Sequence, residues 1–196
     1  MPSADSLSRT GPPGVVRIVG GAWKRSRLVV ADRPGLRPTP ARVRETLFNW
    51  LGPDLAGWRC LDVFAGTGAL GFEAASRGAA EVLLLERDRA LCALLMQARE
   101  RLDARQLRVE QADAFEWMAR CAPARFELVL LDPPFDAQVF DAALAAARRI
   151  VVPGGLVYLE ADHAVEPATA AALGLTVHRQ GRAGAVLFHL LRRLDG

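Results

Sequence analysis

Three closely spaced glycines, Gly66, Gly68 and Gly71, lie in the stretch LDVFAGTGALG and match the G-x-G-x-x-G pattern of a dinucleotide-binding turn. Glu86 follows Gly66 by twenty residues, where such a turn requires an acid for a ribose hydroxyl. A turn of this kind serves NAD and other adenosine-containing cofactors equally well. The glycines therefore predict a cofactor of that class and leave its identity open.

The carboxylate of Asp62, which precedes Gly66 by four residues, favours one cofactor over the other. At this strand end an acid would lie near the pyrophosphate of NAD, and charge repulsion would be unfavourable. The same acid suits S-adenosylmethionine (SAM), which carries a sulfonium and an α-ammonium group. Asp62 could also cap the backbone amides of the turn, and the two roles are compatible. We therefore expect SAM, with Gly66 and Gly68 allowing its close approach and Gly71 packing a helix against the sheet.

A second motif, Asp132-Pro133-Pro134-Phe135, directly follows the apolar run LVLL. Two successive prolines end strand pairing and fix an extended backbone, which would orient the Asp132 carboxylate and the Pro133 carbonyl together. Two such acceptors would hold the hydrogens of an exocyclic amine and direct its lone pair at a methyl donor. Phe135 could stack on a planar base. The alternative is a turn that Asp132 merely caps, but the nearby glycine turn favours the catalytic interpretation.

Basic residues are concentrated in the first fifty positions, where nine basic side chains face three acids. The formal charge of this segment is +6. Because the whole chain has a net charge of +3, the remaining residues together carry −3. Such asymmetry is typical of a polyanion-binding arm on a neutral catalytic body. Lys24 is the only lysine, and genome composition could explain that preference but not the clustering. The residues that we expect to contact nucleic acid are Arg17, Lys24, Arg25, Arg27, Arg37 and Arg42.

The chain of 196 residues is 51% hydrophobic and 24% charged, which predicts one globular domain with a small appendage. It has no apolar run of membrane-spanning length and no signal-peptide pattern, so we expect a cytoplasmic protein with a flexible tail over residues 1–14. Three isolated cysteines predict neither a zinc site nor disulfides, and Cys60 should fill the core. His163, His178 and His189 share no spacing and are expected at the surface or a sheet edge.

The basic segment contains two short elements that would carry its side chains. Apolar runs on either side of a glycine-rich basic stretch predict a β-hairpin over residues 15–30 with an exposed cationic tip. Pro38 and Pro40 then impose an extended entry to a helix, ARVRETLFNWL, with Thr39 as its N-cap and Pro40 as its first residue. These elements form a predicted N-terminal extension over residues 15–52.

Beyond this extension, strands and helices alternate in a predicted domain over residues 53–196. The predicted strands are 59–64, 80–86, 106–110, 126–131 and 154–160, and the predicted helices are 69–77, 88–103, 113–121 and 137–150. Nearly continuous apolar runs are typical of buried parallel strands. Two further segments near Leu175 and Ala185 lack an intervening helix and predict an antiparallel hairpin. The fold class is therefore α/β, a doubly wound, mostly parallel, seven-stranded sheet with a C-terminal antiparallel hairpin.

The chain resembles the RsmD-type bacterial 16S rRNA (guanine-N2)-methyltransferases in GGAWKRSRL, LRPTPARVRETLFNWL, LDVFAGTGALGFEAASRGA, LLERD and FELVLLDPPF. The resemblance extends from about Arg17 to the C-terminus. DPPF is shared with many amino-methyltransferases, whereas the RPT-x-x-R-V-R-E-x-L-F-N-x-L run together with SRGA is more specific. This resemblance implies a Rossmann-like class I methyltransferase that uses SAM without a metal and leaves S-adenosylhomocysteine. The implied substrate is the N2 amine of one guanine, guanine 966, in 16S rRNA of the small ribosomal subunit.

The resemblance also implies roles for individual residues. Glu86 would accept both ribose hydroxyls of SAM, and Asp113 would meet the adenine amine beside the backbone of Ala114. The implied cofactor-binding residues are Asp62, Gly66, Gly68, Glu86, Asp113, Ala114 and Thr39. The implied catalytic residues, which would hold the target amine and its base, are Asp132, Pro133, Pro134 and Phe135.

Two further residues lie in segments that carry the resemblance. Arg37, like Thr39, would lie near the cofactor carboxylate and the mouth of the site, although Arg37 could equally contact a phosphate. Ala98 stands where the family usually has an asparagine, and this departure affects only a local contact.

Other functions remain compatible with parts of the sequence. The same chemistry could act on adenine N6 in nucleic acid or on a protein glutamine amide. A NAD-dependent oxidoreductase would use the same glycines but leaves DPPF unexplained, and a non-catalytic RNA-binding protein explains neither motif. The expected partner is 16S rRNA within the small subunit, with the protein acting as a monomer away from membranes.

Overall fold

A computed structural model describes residues 14–33, 36, 38–133 and 137–195, without the side chains of 137 and 138. Nearly all of the predicted tail therefore lies outside the described residues, although Gly14 itself begins the first strand. Three predicted site residues, Arg37, Pro134 and Phe135, also lie outside them.

The N-terminal elements are two short strands and a helix. They are β1 (Gly14–Arg17), β2 (Arg27–Val30) and α1 (Ala41–Leu51). The two strands pair antiparallel, with Val16 opposite Leu28 and Arg17 opposite Arg27. The predicted hairpin and helix are thus both present.

Alternating strands and helices follow, and they confirm the predicted order of elements. These are β3 (Arg59–Asp62), α2 (Ala69–Ser76), β4 (Glu81–Glu86), α3 (Arg89–Arg101), β5 (Leu107–Gln111), α4 (Ala114–Arg120), β6 (Phe126–Leu131), α5 (Ala137–Ile150), β7 (Val151–Ala161), α6 (Pro167–Ala172), β8 (Leu175–Ala183) and β9 (Val186–Arg193). The seven strands β3 to β9 form one sheet in the order β5-β4-β3-β6-β7-β9-β8. Strands β3 to β7 pair in parallel, and β9 pairs antiparallel with both β7 and β8.

Each face of this sheet packs against a separate set of helices. One buried cluster joins Cys60, Leu84 and Leu130 to apolar residues of α1, α2 and α3. The other joins Leu61 and Leu83 to residues of α4, α5 and α6. Because successive strand residues point to opposite faces, the parity of a residue fixes which layer it contacts. The doubly wound α/β class is confirmed.

The N-terminal extension packs directly on α2. Ile18 of the hairpin region, Leu28 of β2 and Phe48 of α1 belong to the same buried cluster as Phe72 of α2. The N–H of Ala22 also donates to the carbonyl of Ser76 at 2.7 Å. The hairpin and the sheet domain therefore share one hydrophobic core.

Several details differ from the sequence predictions. The N-cap of α1 is Pro40, and Thr39 makes no capping bond, because its hydroxyl donates to Asp132 instead. Strand β7 begins at Val151, three residues earlier than predicted, and the short helix α6 was not predicted. His189 is fully buried rather than at the surface, because its side chain lies on the inward face of β9 and accepts the N–H of Val165.

The described part of the chain has neither a candidate membrane span nor a candidate metal cluster. None of its helices has the length and apolar composition needed to cross a membrane. Nor do any three or more of its His, Cys, Asp and Glu side chains form a group that could hold a metal ion.

Candidate active site

Four carboxylates meet at the carboxyl edge of four adjacent strands. Asp62 ends β3 and Glu86 ends β4, while Asp132 directly follows β6 and Glu160 lies near the end of β7. All four have the parity of the sheet face that α1 to α3 cover. Ligands of open parallel sheets bind outside this edge, where the strand order reverses. The structure thus brings together Asp62, Glu86 and Asp132, which the sequence predicted, and adds Glu160, which it did not.

Asp62 is held by the helix that follows the glycine turn. Its Oδ2 accepts the N–H of Gly71 at 2.9 Å, and only 2% of the residue is exposed. Burial raises the pKa of Asp62 to about 7, opposed by the Gly71 hydrogen bond and reinforced by the charges of Glu86 and Glu160. A carboxylate that is costly to ionise alone gains from a cationic ligand. Asp62 therefore accepts a backbone N–H and could also bind a cationic group.

The glycines of the turn differ in what they provide. Gly66 and Gly68 have φ values of +50° and +74°, which favour glycine. A Cβ on Gly71 would lie 2.1 Å from Cδ2 of Leu84 and 3.1 Å from Oδ2 of Asp62. Gly71 thus packs α2 tightly on the sheet, as predicted, and this close approach also lets its N–H reach Asp62.

Glu86 links the glycine turn to the start of α3. Its Oε2 accepts the N–H of Gly66 at 2.9 Å, and its Oε1 accepts the N–H of Asp88 at 2.8 Å. These two bonds fix the plane of the carboxylate. Each oxygen has a second lone pair, so the group is still able to accept two hydroxyls.

Asp113 lies beyond the end of β5, on the same edge of the sheet. Its Oδ1 accepts the N–H groups of Phe115 and Glu116, both at 3.0 Å, and so caps α4. The side chain is exposed, whereas Ala114 beside it is buried. The structure therefore gives Asp113 a local structural role at a position where it could also meet a ligand.

Asp132 lies in a hydrogen-bonded group that also involves Thr39, Tyr158 and Glu160. The Thr39 hydroxyl donates to Oδ2 of Asp132 at 3.3 Å, and the Tyr158 hydroxyl donates to Oε1 of Glu160 at 2.9 Å. Burial raises the pKa of Asp132 well above its usual range, as do the charges of Glu160 and Asp62. Burial also raises the pKa of Glu160. Pro133, the next residue of the motif, is buried.

The predicted basic residues that the structure describes are all exposed. They are Arg17, Lys24, Arg25, Arg27 and Arg42. On the outward face of the hairpin, Arg17 lies opposite Arg27. The exposed Val15 and Val29 form the next pair on the same face.

Two further arginines fix this hairpin by its backbone. Arg44 donates to the carbonyl of Arg17, and Arg101 of α3 donates to the carbonyl of Arg27. Arg44 was counted with the basic arm in the sequence, but it is 2% exposed and is unavailable to a polyanion.

Comparison with known proteins identifies the family. The family model described as "Conserved hypothetical protein 95" matches residues 16–192. A "Ribosomal RNA small subunit methyltransferase D" from Escherichia coli (strain K12) is 40% identical over 182 residues, covering 92% of this chain and 91% of that protein. The chain belongs to the RsmD family of methyltransferases.

Further members of the RsmD family support this assignment. A protein of the same name from Haemophilus influenzae is 38% identical over 154 residues, covering 76% of this chain and 80% of that protein. The solved structure titled "Putative methyltransferase yhhF from Escherichia coli" superposes with a TM-score of 0.82 and 35% identity, covering 93% of this chain and 100% of that one. Membership of the RsmD family confirms that the enzyme is a methyltransferase with a Rossmann-like fold, and it disfavours the NAD-dependent alternative.

Proposed function

We propose that this protein transfers a methyl group from SAM to the N2 amine of a guanine in 16S rRNA, at position 966. The observation that carries the proposal is the location of Asp132 on the same edge and face of the sheet as Asp62 and Glu86. The proposed site for a cationic, ribose-containing cofactor would therefore lie beside the proposed site for an amine. The names of the RsmD relatives support ribosomal RNA as the substrate.

The residues present fit SAM. A buried carboxylate at Asp62 suits an α-ammonium group, and the fixed carboxylate of Glu86 suits two ribose hydroxyls. SAM, when bound, supplies a methyl group that its sulfonium makes electrophilic. The residues proposed to hold it are Asp62, Gly66, Gly68, Glu86, Asp113, Ala114 and Thr39.

The target amine would be activated by how it is oriented and hydrogen-bonded. A nucleobase amine is a poor nucleophile, because its lone pair is delocalised into the ring. Asp132 and the carbonyl of Pro133 would accept its two hydrogens and direct that lone pair at the methyl donor. Thr39 holds the Asp132 carboxylate through its hydroxyl. Phe135 remains the proposed stacking partner of the base.

RNA binding is assigned to the exposed hairpin and the start of α1. Arg17 and Arg27 on one face, with Lys24 and Arg25 at the tip, form a cationic surface suited to phosphates. The target guanine must be unpaired or flipped out to present its amine at Asp132. The proposed substrate is the small ribosomal subunit, with the protein acting as a monomer.

Methyl transfer to ribosomal particles tests this function. Small subunits from a strain that lacks this protein are incubated with SAM labelled in its methyl group. The wild-type protein should label 16S rRNA, and Asp132→Ala should lose almost all transfer while still binding SAM in calorimetry. Undiminished transfer by Asp132→Ala would refute the role of Asp132, and binding of NAD in place of SAM would refute the cofactor.

A further inference from the structure

Glu160 is a buried acid for which the proposed mechanism has no role so far. Leu130 pairs with Tyr158 and Leu131 with Leu159 in the parallel register of β6 and β7. Asp132, the next residue, therefore lies beside Glu160, since neighbouring strands are about 4.8 Å apart. Both side chains have the parity of Tyr158, so they share a face of the sheet. Glu160 is 3% exposed.

Two hydroxyl groups hold this pair of acids. Tyr158 donates to Oε1 of Glu160 at 2.9 Å, and Thr39 donates to Oδ2 of Asp132 at 3.3 Å. Thr39 and Tyr158 are themselves buried, so the hydroxyls are fixed by the surrounding core. The carboxyl groups of Asp132 and Glu160 thus lie side by side, and each accepts a hydrogen bond from a neutral hydroxyl.

The charges around the pair are mainly negative. Asp62 on β3 raises the pKa of Asp132, and burial is the largest cause for both members of the pair. On the opposite side, β9 places the apolar Phe188 against Glu160. Arg44 of α1 lies close to Thr39, but its guanidinium pairs with Glu73 and donates to two backbone carbonyls. Two carboxylates side by side, one buried and the other half-buried, do not both ionise readily.

We propose that Glu160 is a positioning residue that shares one proton with Asp132, and that this pair accepts the proton which the target amine loses. This inference rests on the proposed function. As the nitrogen–carbon bond forms, the sulfur–carbon bond breaks and its electron pair remains on sulfur. The nitrogen then carries one proton too many, and that proton passes to the Asp132 carboxylate. The pair now holds two protons and returns one to water.

Two variants should move the pH dependence of methyl transfer in the same direction. The rate should rise with pH in the wild type, because the doubly protonated pair has no acceptor left. Glu160→Gln removes the acid that shares its proton with ionised Asp132, so Asp132 ionises less readily and the rise should move to higher pH. Tyr158→Phe removes a donor to charged Glu160 and should move the rise to higher pH. Glu81→Gln, at the opposite end of β4, should leave it unchanged.

The test is the single-turnover rate of methyl transfer to small subunits between pH 5 and 9, with the full-length protein. SAM is kept saturating at each pH, so that titration of Asp62 does not limit binding. Shifts to higher pH in both variants, with Glu81→Gln unchanged, support the inference. A lower rate with an unmoved profile in both would overturn it and leave the proposed function intact. If Glu160→Gln does not fold, Tyr158→Phe decides alone. Absence of transfer by the wild type would contradict the proposed function and this inference with it.

Discussion

The buried guanidinium of Arg44 on α1 lies 3.6 Å from the buried carboxylate of Glu73 on α2. Glu73 also pairs with Arg77 at 2.9 Å. Arg44 donates in addition to the carbonyls of Thr39 at 3.1 Å and Arg17 at 2.9 Å. This one side chain therefore joins the basic hairpin, the segment that bears the Thr39 hydroxyl and the helix after the glycine turn.

Replacing Arg44 with methionine should destabilise the protein strongly. The change leaves two carbonyls without their donor and weakens the neutralisation of Glu73, a loss on the order of 3 kcal/mol. Arg42→Met on the exposed side of the same helix should change stability by less than about 0.5 kcal/mol. Urea unfolding followed by circular dichroism measures both. Equal midpoints for the two variants would contradict the structural role of Arg44.

Adding a methyl group at Gly71 should damage both packing and the cofactor site. In Gly71→Ala the new Cβ meets Leu84 at 2.1 Å, so α2 must shift, at a cost of about 1–3 kcal/mol. The shift also moves the N–H that holds Asp62, and SAM binding should weaken. Gly14→Ala serves as the control, because its Cβ would meet Val30 at an ordinary 3.4 Å. The measurements are thermal unfolding and calorimetric titration with SAM, and unchanged SAM affinity in Gly71→Ala would disprove the link to Asp62.

The affinity for SAM should depend on the protonation of Asp62. Its pKa of about 7 means that the carboxylate, which attracts the α-ammonium group, is lost as the pH falls below neutrality. Affinity should therefore decrease by up to about tenfold between pH 8 and pH 6. Asp62→Asn should bind weakly at both pH values, and the exposed Asp103→Asn should behave as the wild type. Calorimetry at several pH values gives the comparison; an equally steep pH dependence in Asp62→Asn would assign it to another group.

The hairpin arginines should determine how RNA binding responds to salt. Each phosphate contact adds close to one unit to the slope of log affinity against log salt. Arg17→Gln and Arg27→Gln should each reduce that slope by about one, and they should leave SAM binding unchanged. Arg182→Gln, on the edge strand β8 at the far side of the sheet, is the matched control. Filter binding of 16S rRNA at several salt concentrations tests this, and an effect of Arg182→Gln equal to the others would exclude a localised RNA surface.

The sequence predicted most of the elements because parallel strands appear as continuous apolar runs. The segments that became β4 and β6 show this pattern, and their bounds were close to the observed ones. Helix α6 escaped prediction because six residues with a proline at the start show no helical periodicity. Strand β7 begins early because Val151 pairs with Phe126 of β6 before a shift in register. The sequence of β7 alone does not indicate this pairing.

Site residues that belong to a sequence motif were predicted. Those that reach the site only through the pairing of strands or the packing of helices were missed. Asp62 and Asp132 stand in recognisable motifs, whereas Glu160 is a lone acid ending an apolar run. Thr39 was predicted to be an N-cap, but its hydrogen bond reaches 93 residues along the chain. The burial of Arg44 likewise depends on Glu73 in another helix. Contacts of this range depend on how α1 and β7 pack, which local patterns do not encode.

The identity of the methylated nucleoside decides whether the enzyme modifies guanine N2 of 16S rRNA. 16S rRNA from small subunits treated with the protein and SAM is digested to nucleosides and analysed by mass spectrometry, beside untreated subunits and subunits treated with Asp132→Ala. We expect one additional N2-methylguanosine per 16S rRNA, absent in both controls. N6-methyladenosine, or no new methylated nucleoside with an active SAM-binding protein, would contradict this expectation.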